Sequence, residues 1–449
     1  MESSQRVDRQ LNKDERISNK HYLILAIPLI IAGISTPILG AVDTAVVGRL
    51  PNPTAIGGVA IGVLIFNTIY WLFGFLRVST TGFTSQALGA HDENETMLSL
   101  FRPMMIAFIL GIIFILAQNI IFDLAILLLE PTNNVTRLAE SYFSIRIWGS
   151  PFTLLNYVIV GWLMGLGKVQ LSLIIQVVMN VMNIILDLLF VFYYGLGVSG
   201  VAYATLISEV FAFLLGGWFI FQGNKTIFKK IKPTSVISTS QFKAMFIVNR
   251  DLFLRTACLL MMTCTFTAVG SRLGEVALAC NAILLQLHYI LAYFFGGFSN
   301  ASSILIGKAI GANNKSQFKQ AIRLSAKWGF LTAICLSMLV YLFGDFIVSI
   351  FTSINEVKEM ALQYLGWIVI FPLVGFWGLH LEGIFSGATE AKDIRNTIGI
   401  ALLIFLIIIW VALPVYYNNG LWLAFIMFCF ARSFFLSLCL PSLERRVFN

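Results

Sequence analysis

Long apolar runs alternate along the chain with short polar breaks that hold Gly, Pro, Asn and charged residues. About 20 apolar residues cross a bilayer as a helix. This places spans near 22–49, 56–83, 103–129, 138–165, 170–193 and 198–222, and a second six near 244–273, 277–308, 320–351, 358–388, 395–417 and 420–441. In lipid each backbone amide and carbonyl must be paired within its own segment, so helix is the expected state throughout. The pattern predicts an all-α membrane protein of 12 transmembrane helices. Between the two sets of six lies "GNKTIFKKIKPTSVISTSQFK", which is polar, basic and interrupted by proline. The expected organisation is a tail 1–21, a first lobe 22–222, a linker 223–243, a second lobe 244–441 and a tail 442–449.

Sliding the chain on itself by about 222 residues brings "SQALGA" (85–90) onto "GKAIGA" (307–312), Arg49-Leu50 onto Arg272-Leu273, and Gly161/Gly165 onto Gly383/Gly387. Pro151 with Pro372, and Tyr193-Tyr194 with Tyr416-Tyr417, fall within one residue of the same offset. Several matches in one order at one offset indicate an internal duplication. Six spans separate equivalent positions, so the repeat is parallel. Two pseudo-symmetric six-helix bundles around a central cleft are the expected architecture, with the cleft as the substrate route.

Composition supports the membrane reading. Of 449 residues 58% are hydrophobic and 12% charged, and the mean hydropathy is +0.86, outside the soluble range. The net charge of +8 is spread between the spans rather than gathered in a basic domain, which argues against nucleic acid. Lysine and arginine instead crowd the breaks on one side, including Arg6, Arg9, Lys13, Arg16, Lys225, Lys229, Lys230 and Lys232, so both termini and the linker are expected to be cytoplasmic. The first apolar segment is too long for a signal peptide and is read as a retained helix. Six cysteines without CxxC spacing are read as packing residues.

Where the repeat fails, chemistry enters. Under the slide, Asp43 in "GAVDTAVVGRL" falls opposite Thr265 or Phe266, and Asp187 opposite Ile409 or Trp410, so these carboxylates belong to the first half alone. Asp43 lies six residues before Arg49 and Asp187 seven before Tyr194. At about 1.5 Å per residue both sit roughly 10 Å below the outer surface. Tyr142, Thr205 and Glu209 converge on the same level from helices that run the other way, and Asn183 shares a helix face with Asp187. Intramembrane acids are costly and usually serve a cavity or relay, although a polar pin between helices would use the same residues. Arg146 could hold Glu140, Glu209 or Asp187 in a static ion pair. An acid there is a chemical switch, attracting a cation when ionised and repacking as a neutral group when protonated. Sodium on oxygens of Asp43, Asn183, Asp187 and Thr205 is the competing occupant.

Four strings, "PILGAVDTAVVGRL", "FLRVSTTGFTSQALGA" (75–90), "NIILDLLFV" (183–191) and "NRDLFLRT" (249–256), resemble the DinF-type branch of the multidrug and toxic compound extrusion (MATE) transporters, and the resemblance runs from about residue 20 to 440. It implies two six-helix bundles, alternating access and export of organic cations in exchange for protons or sodium. It also implies a cation-coupling site on Asp43, Asn183 and Asp187, with Tyr142 and Thr205 in the same cluster. The helix-7 glutamate of other branches is missing, replaced by apolar "LLMMTCTF" (259–266), which points to a first-lobe site alone.

The expected function is therefore proton-driven efflux of organic cations and amphipathic drugs, by a multi-pass protein of a bacterial inner membrane acting as a monomer. No cofactor is expected beyond the coupling ion, and Asp43 is expected to meet the drug as well as the proton. Further candidate lining residues are Phe152, Asn156, Met261, Met262, Asn281, Gln286 and Tyr289, which a packed interior would equally use. Sodium-coupled export and a lipid-linked precursor flippase are the alternatives. An enzyme is disfavoured, with four histidines, no HExxH and no nucleophile constellation. ATP-driven pumping is disfavoured because GxxxxGK[ST] does not occur. "GLGVSG" (195–200) fits GxGxxG only literally, lying in a short outer loop between apolar helices. Arg77, Arg250, Asp251, Arg255 and Glu382 gather by depth toward the cytoplasm, as an inner gate or as ordinary interfacial ion pairs.

Overall fold

The computed structural model describes residues 17–49, 53–223 and 239–448, with only the backbone of 36–45, 47, 53, 223 and 239. Leu50, the basic tail residues up to Arg16 and the linker lysines Lys225, Lys229, Lys230 and Lys232 lie outside the described residues, as does the side chain of Asp43.

The described chain is almost entirely helical. The helices are α1 (Asn19–Val47), α2 (Pro53–Phe73 and Phe75–Gly89), α3 (Glu93–Leu116 and Gln118–Leu129), α4 (Asn133–Arg146 and Ser150–Gly165), α5 (Val169–Leu188), α6 (Gly197–Gly223), α7 (Thr239–Ser271), α8 (Glu275–Gly311), α9 (Lys315–Phe351) and α10 (Asn355–Gly387). A final helical run, Ala391–Phe448, is broken at Tyr417, where φ is 48°, into α11 (391–416) and α12 (418–448). The twelve apolar spans are thus present. Several exceed their expected bounds, α8 at both ends and α7 by beginning at Thr239. Hydropathy registers only the apolar middle, whereas a helix continues through polar turns beyond it, as α9 does from its Asn314 cap. "GLGVSG" is only partly loop, since α6 begins at Gly197.

Contacts divide the chain into two compact units. One holds 31–88 and 92–246, the other holds the residues up to Ile30, 89–91 and 247–449. Helix α1 is therefore shared. Its Tyr22 hydroxyl bonds Ser302 Oγ at 2.9 Å in the second unit, and its Ser35 Oγ accepts from Asn180 Nδ2 at 3.2 Å in the first.

The duplication is visible bond by bond. Helix starts at Glu93, Asn133 and Val169 recur 222 residues on at Lys315, Asn355 and Ala391. The cap in which Asp92 accepts from Glu95 N at 2.8 Å recurs as Asn314 accepting from Gln317 N at 3.0 Å. Left-handed residues His91, Gly167 and Gly195 (φ 54°, 74° and 65°) recur as Asn313, Thr389 and Tyr417 (φ 50°, 58° and 48°), positions that end helices by satisfying their last carbonyls.

At the centre of each unit stands the helix that the repeat equates, α4 and α10. Their glycines explain why. A Cβ on Gly161 would lie 2.5 Å from the Arg77 carbonyl oxygen, and one on Gly165 2.9 Å from that of Thr81. The counterparts Gly383 and Gly387 press in the same way on the carbonyls of Ser299 and Ser303. Small residues let two backbones approach where lipid offers no hydrophobic drive to do so. Outside, the units carry Leu, Ile, Phe and Trp in the open, for example Leu116, Ile120, Trp410 and Leu403, as a lipid-facing surface requires.

Gly161→Ala and Gly383→Ala should each lower stability by about 1–3 kcal/mol, read as thermal unfolding of the purified protein in detergent. Gly217→Ala, with nothing within 4 Å of the added carbon, should leave stability unchanged or raise it.

Candidate functional site

Helix α5 reverses the usual amphipathic order. Ile174, Val177, Val181, Ile185 and Leu188 form its exposed stripe, while Asn180, Asn183 and Asp187 point inward. Spacings of three and four put the three polar groups on one face. Asn183 is 3% exposed and Asp187 0%. Just beyond Asp187 the helix widens into a π-helical turn, Leu189–Tyr193, closed by Tyr194 N donating to the Leu189 carbonyl at 3.0 Å. Such turns inside α-helices are frequent at functional sites.

Two neighbouring helices meet this stripe. From α1, Ser35 takes Asn180 Nδ2. From α6, Thr205 Oγ1 takes Asn183 Nδ2 at 3.4 Å and itself donates to the Val201 carbonyl at 3.0 Å. One turn further along α6, Glu209 is 6% exposed and stands 3.8 Å from Arg146 NH2. Arg146 NH1 donates to the Tyr142 hydroxyl at 2.8 Å, and its guanidinium lies 4.8 Å over the Phe66 ring. Asn156 Nδ2 donates to the Glu209 backbone carbonyl at 2.9 Å. Two glycines make room, since a Cβ on Gly149 would lie 2.5 Å from Glu209 Oε2 and one on Gly62 would enter the Tyr142 ring.

The expected coupling residues thus fall into two groups that share α6. Asn183 with Thr205 is one, on the α5 face that also carries Asp187. Tyr142 with Glu209, bridged by Arg146, is the other. Of the acids that Arg146 could hold, Glu209 is the one it faces, while Glu140 is exposed. Among the described residues no three His, Cys, Asp or Glu side chains gather as a metal site. A hard cation would find oxygen donors here on Asn183, Asp187 and Thr205.

The sequence model of the MatE family matches residues 28–189 and 252–411. The chain is 34% identical to DNA damage-inducible protein F of Escherichia coli K12, over 92% of this chain and 89% of that one. It belongs to the MATE family. It is also 23% identical to the probable multidrug resistance protein NorM of Oceanobacillus iheyensis, over 87% of each chain. A solved structure described as MATE in the bent conformation superposes with a TM-score of 0.86 at 20% identity, covering 98% of this chain and 99% of that one. MATE proteins are membrane transporters, not enzymes, with twelve transmembrane helices in two bundles.

The lining residues expected of this MATE chain each have their own surroundings within their unit. Phe152 packs edge-on against Phe213 at 5.6 Å and borders an open groove of about 660 Å³ with Phe101, Met105, Phe108 and Trp148. Asn281 donates through Nδ2 to Asn418 Oδ1 at 2.7 Å, and its Oδ1 accepts from Asn418 Nδ2 at 3.0 Å and from Trp422 Nε1 at 2.9 Å. Met262 is buried, Met261 and Gln286 are exposed, and Tyr289 is half-buried. Sequence reasoning missed Ser35 and Asn180. Asn180 was readable at three residues before Asn183, whereas Ser35 carries no signal, because a mid-helix serine ordinarily bonds its own backbone, as this one does to the Ala32 carbonyl.

Arg146→Gln should destabilise the protein by about 3 kcal/mol, because it leaves Glu209 buried without its cation. Arg146→Gln with Glu209→Gln should recover more than half of that loss. A double-mutant cycle on thermal unfolding measures both.

Proposed function

We propose that this MATE protein is a secondary exporter of organic cations and amphipathic drugs, driven by protons through alternating access. The observation that carries the reading is the buried Asn180, Asn183 and Asp187 stripe of α5 with Thr205 against it. A carboxylate kept from water there has two states of very different consequence. Ionised, it holds a cation; protonated, it is neutral and lets the cation go. One site cannot hold proton and cationic drug tightly together, and that exclusion is the exchange.

One charge moving through 100 mV gains about 2.3 kcal/mol, roughly a fiftyfold gradient per proton. Residues 36–47 continue α1 past Ser35 toward Asp43 and so carry the second acid of the scheme on a helix already bonded to α5. The proposed setting is a bacterial inner membrane with both termini cytoplasmic, and the protein acts as a monomer. Sodium is the second reading, supported by Asn183, one turn before Asp187 on the same face, and by the Thr205 hydroxyl bonded to it.

Proteoliposome efflux of a fluorescent organic cation under an imposed pH or sodium gradient separates the readings. A pH gradient should drive export in the parent, while Asp187→Asn and Asp43→Asn should each reduce it at least tenfold. A pH-driven rate kept by both variants would overturn the coupling assignment, and export driven by sodium alone would replace the proton.

A further inference from the structure

The acids of the exchange belong to the first unit, yet a denser charge cluster, built on the buried Asp251, Glu382 and Arg432, lies in the second. Glu382 of α10 accepts from Arg255 of α7 through Oε2, while its Oε1 lies 2.6 Å from Arg432 NH2 of α12. The Arg432 side chain is 9% exposed and that of Glu382 8%. One turn before Arg255, on the same face of α7, Asp251 repeats the pattern. Its Oδ1 takes Arg250 at 2.8 Å and Arg395 of α11 at 2.7 Å. Four arginines meet two carboxylates.

A cluster that merely pins helices together is expected to match its charges, because an unmatched buried charge is expensive to keep. The buried arginines of the first unit follow that rule, Arg102 facing Glu95 and Arg146 facing Glu209. In the second unit the buried Arg432 and Glu382 are joined by Arg255, whose side chain is 23% exposed, so this group of three keeps one positive charge. Moreover, Nε of Arg255 and Nε of Arg432 have no hydrogen-bond acceptor, although each is an N–H that a guanidinium normally commits. Nε of Arg146 in the first unit shares that lack, without an excess of arginine over carboxylate beside it. Surplus charge and spare donors coincide on Arg255 and Arg432.

We propose that Arg255, Glu382 and Arg432 form a binding site for an oxyanion, a carboxylate or phosphate group. The guanidinium fork matches two oxygens of such a group in one plane, and the uncompensated charge supplies the attraction. Arg255, with its side chain 23% exposed, is the side of entry. The anion can arrive on a transported amphipath or on the headgroup of an anionic lipid, and the chemistry recognised is the same. The site lies wholly within the second unit and does not depend on which ion drives export.

The test follows thermal unfolding of the purified full-length protein in neutral detergent, at constant ionic strength with chloride as the balancing anion. Decanoate, inorganic phosphate or phosphatidylglycerol is then titrated in. The parent's midpoint should rise saturably with at least one of the three. Arg432→Gln, which brings the group to neutrality, should need at least tenfold more of that anion. Glu382→Gln, which releases both guanidiniums, should need at least threefold less. That gain is a direction of change that mere loss of structure cannot imitate. A response to decanoate assigns the site to a carboxylate cargo, one to phosphatidylglycerol alone to a lipid, and one to phosphate alone to a small free oxyanion. The proposal is overturned if none of the three shifts the parent, or if the variants respond at the parent's concentrations.

Discussion

A charge inside a helix bundle surrounded by lipid persists only where another polar group stands opposite it. That constraint orders the interior of this protein. Asn180, Asn183 and Asp187 occupy one buried face of α5, with hydroxyls of Ser35 and Thr205 supplied by the helices packed against it. Arg146 and Glu209 meet below aromatic rings, and Glu382 gathers two arginines. The surrounding surface is free to be apolar because the polar groups are spent inward.

The duplicated frame and the unequal chemistry fit together. Glycines on α4 and α10 hold each unit's central helices at backbone contact, and the same caps and left-handed turns close the same helices 222 residues apart. The frame is therefore common to both halves. Upon it the first half carries the buried amide and carboxylate stripe, and the second carries the arginine cluster. In the proposed scheme the stripe on α5 takes a cation and the arginine cluster an anion, a division of labour built on one frame. Helix α1 contributes hydrogen bonds to both, through Tyr22 and through Ser35.

Much of the fold was legible in the sequence, because span length and the backbone's need for internal pairing leave few choices in lipid. The repeat was legible at Gly161, Gly165, Gly383 and Gly387, where side-chain size is the message. The breaks at Gly74 and Ala117 and the π-helical turn after Leu188 were not, because they leave hydropathy unchanged. At the site, spacing alone put Asn183 and Asp187 on one face, and depth matched Thr205 to them. Long-range partners stayed hidden. Asn281 reads as a candidate contact for cargo, and its hydrogen bond to Asn418, 137 residues away, leaves no trace in the residues around it. Arg432 carries no local signal either, since a lone arginine in an apolar run cannot announce that Glu382 already has a partner.

The proposed exchange is tested most directly by the proton itself. Purified protein in weakly buffered detergent is mixed with tetraphenylphosphonium, and the pH of the solution is followed. If proton and cation compete for the carboxylates on α1 and α5, binding releases protons from the parent, and Asp187→Asn binds the cation with little or no release. Equal release from parent and variant would contradict the account.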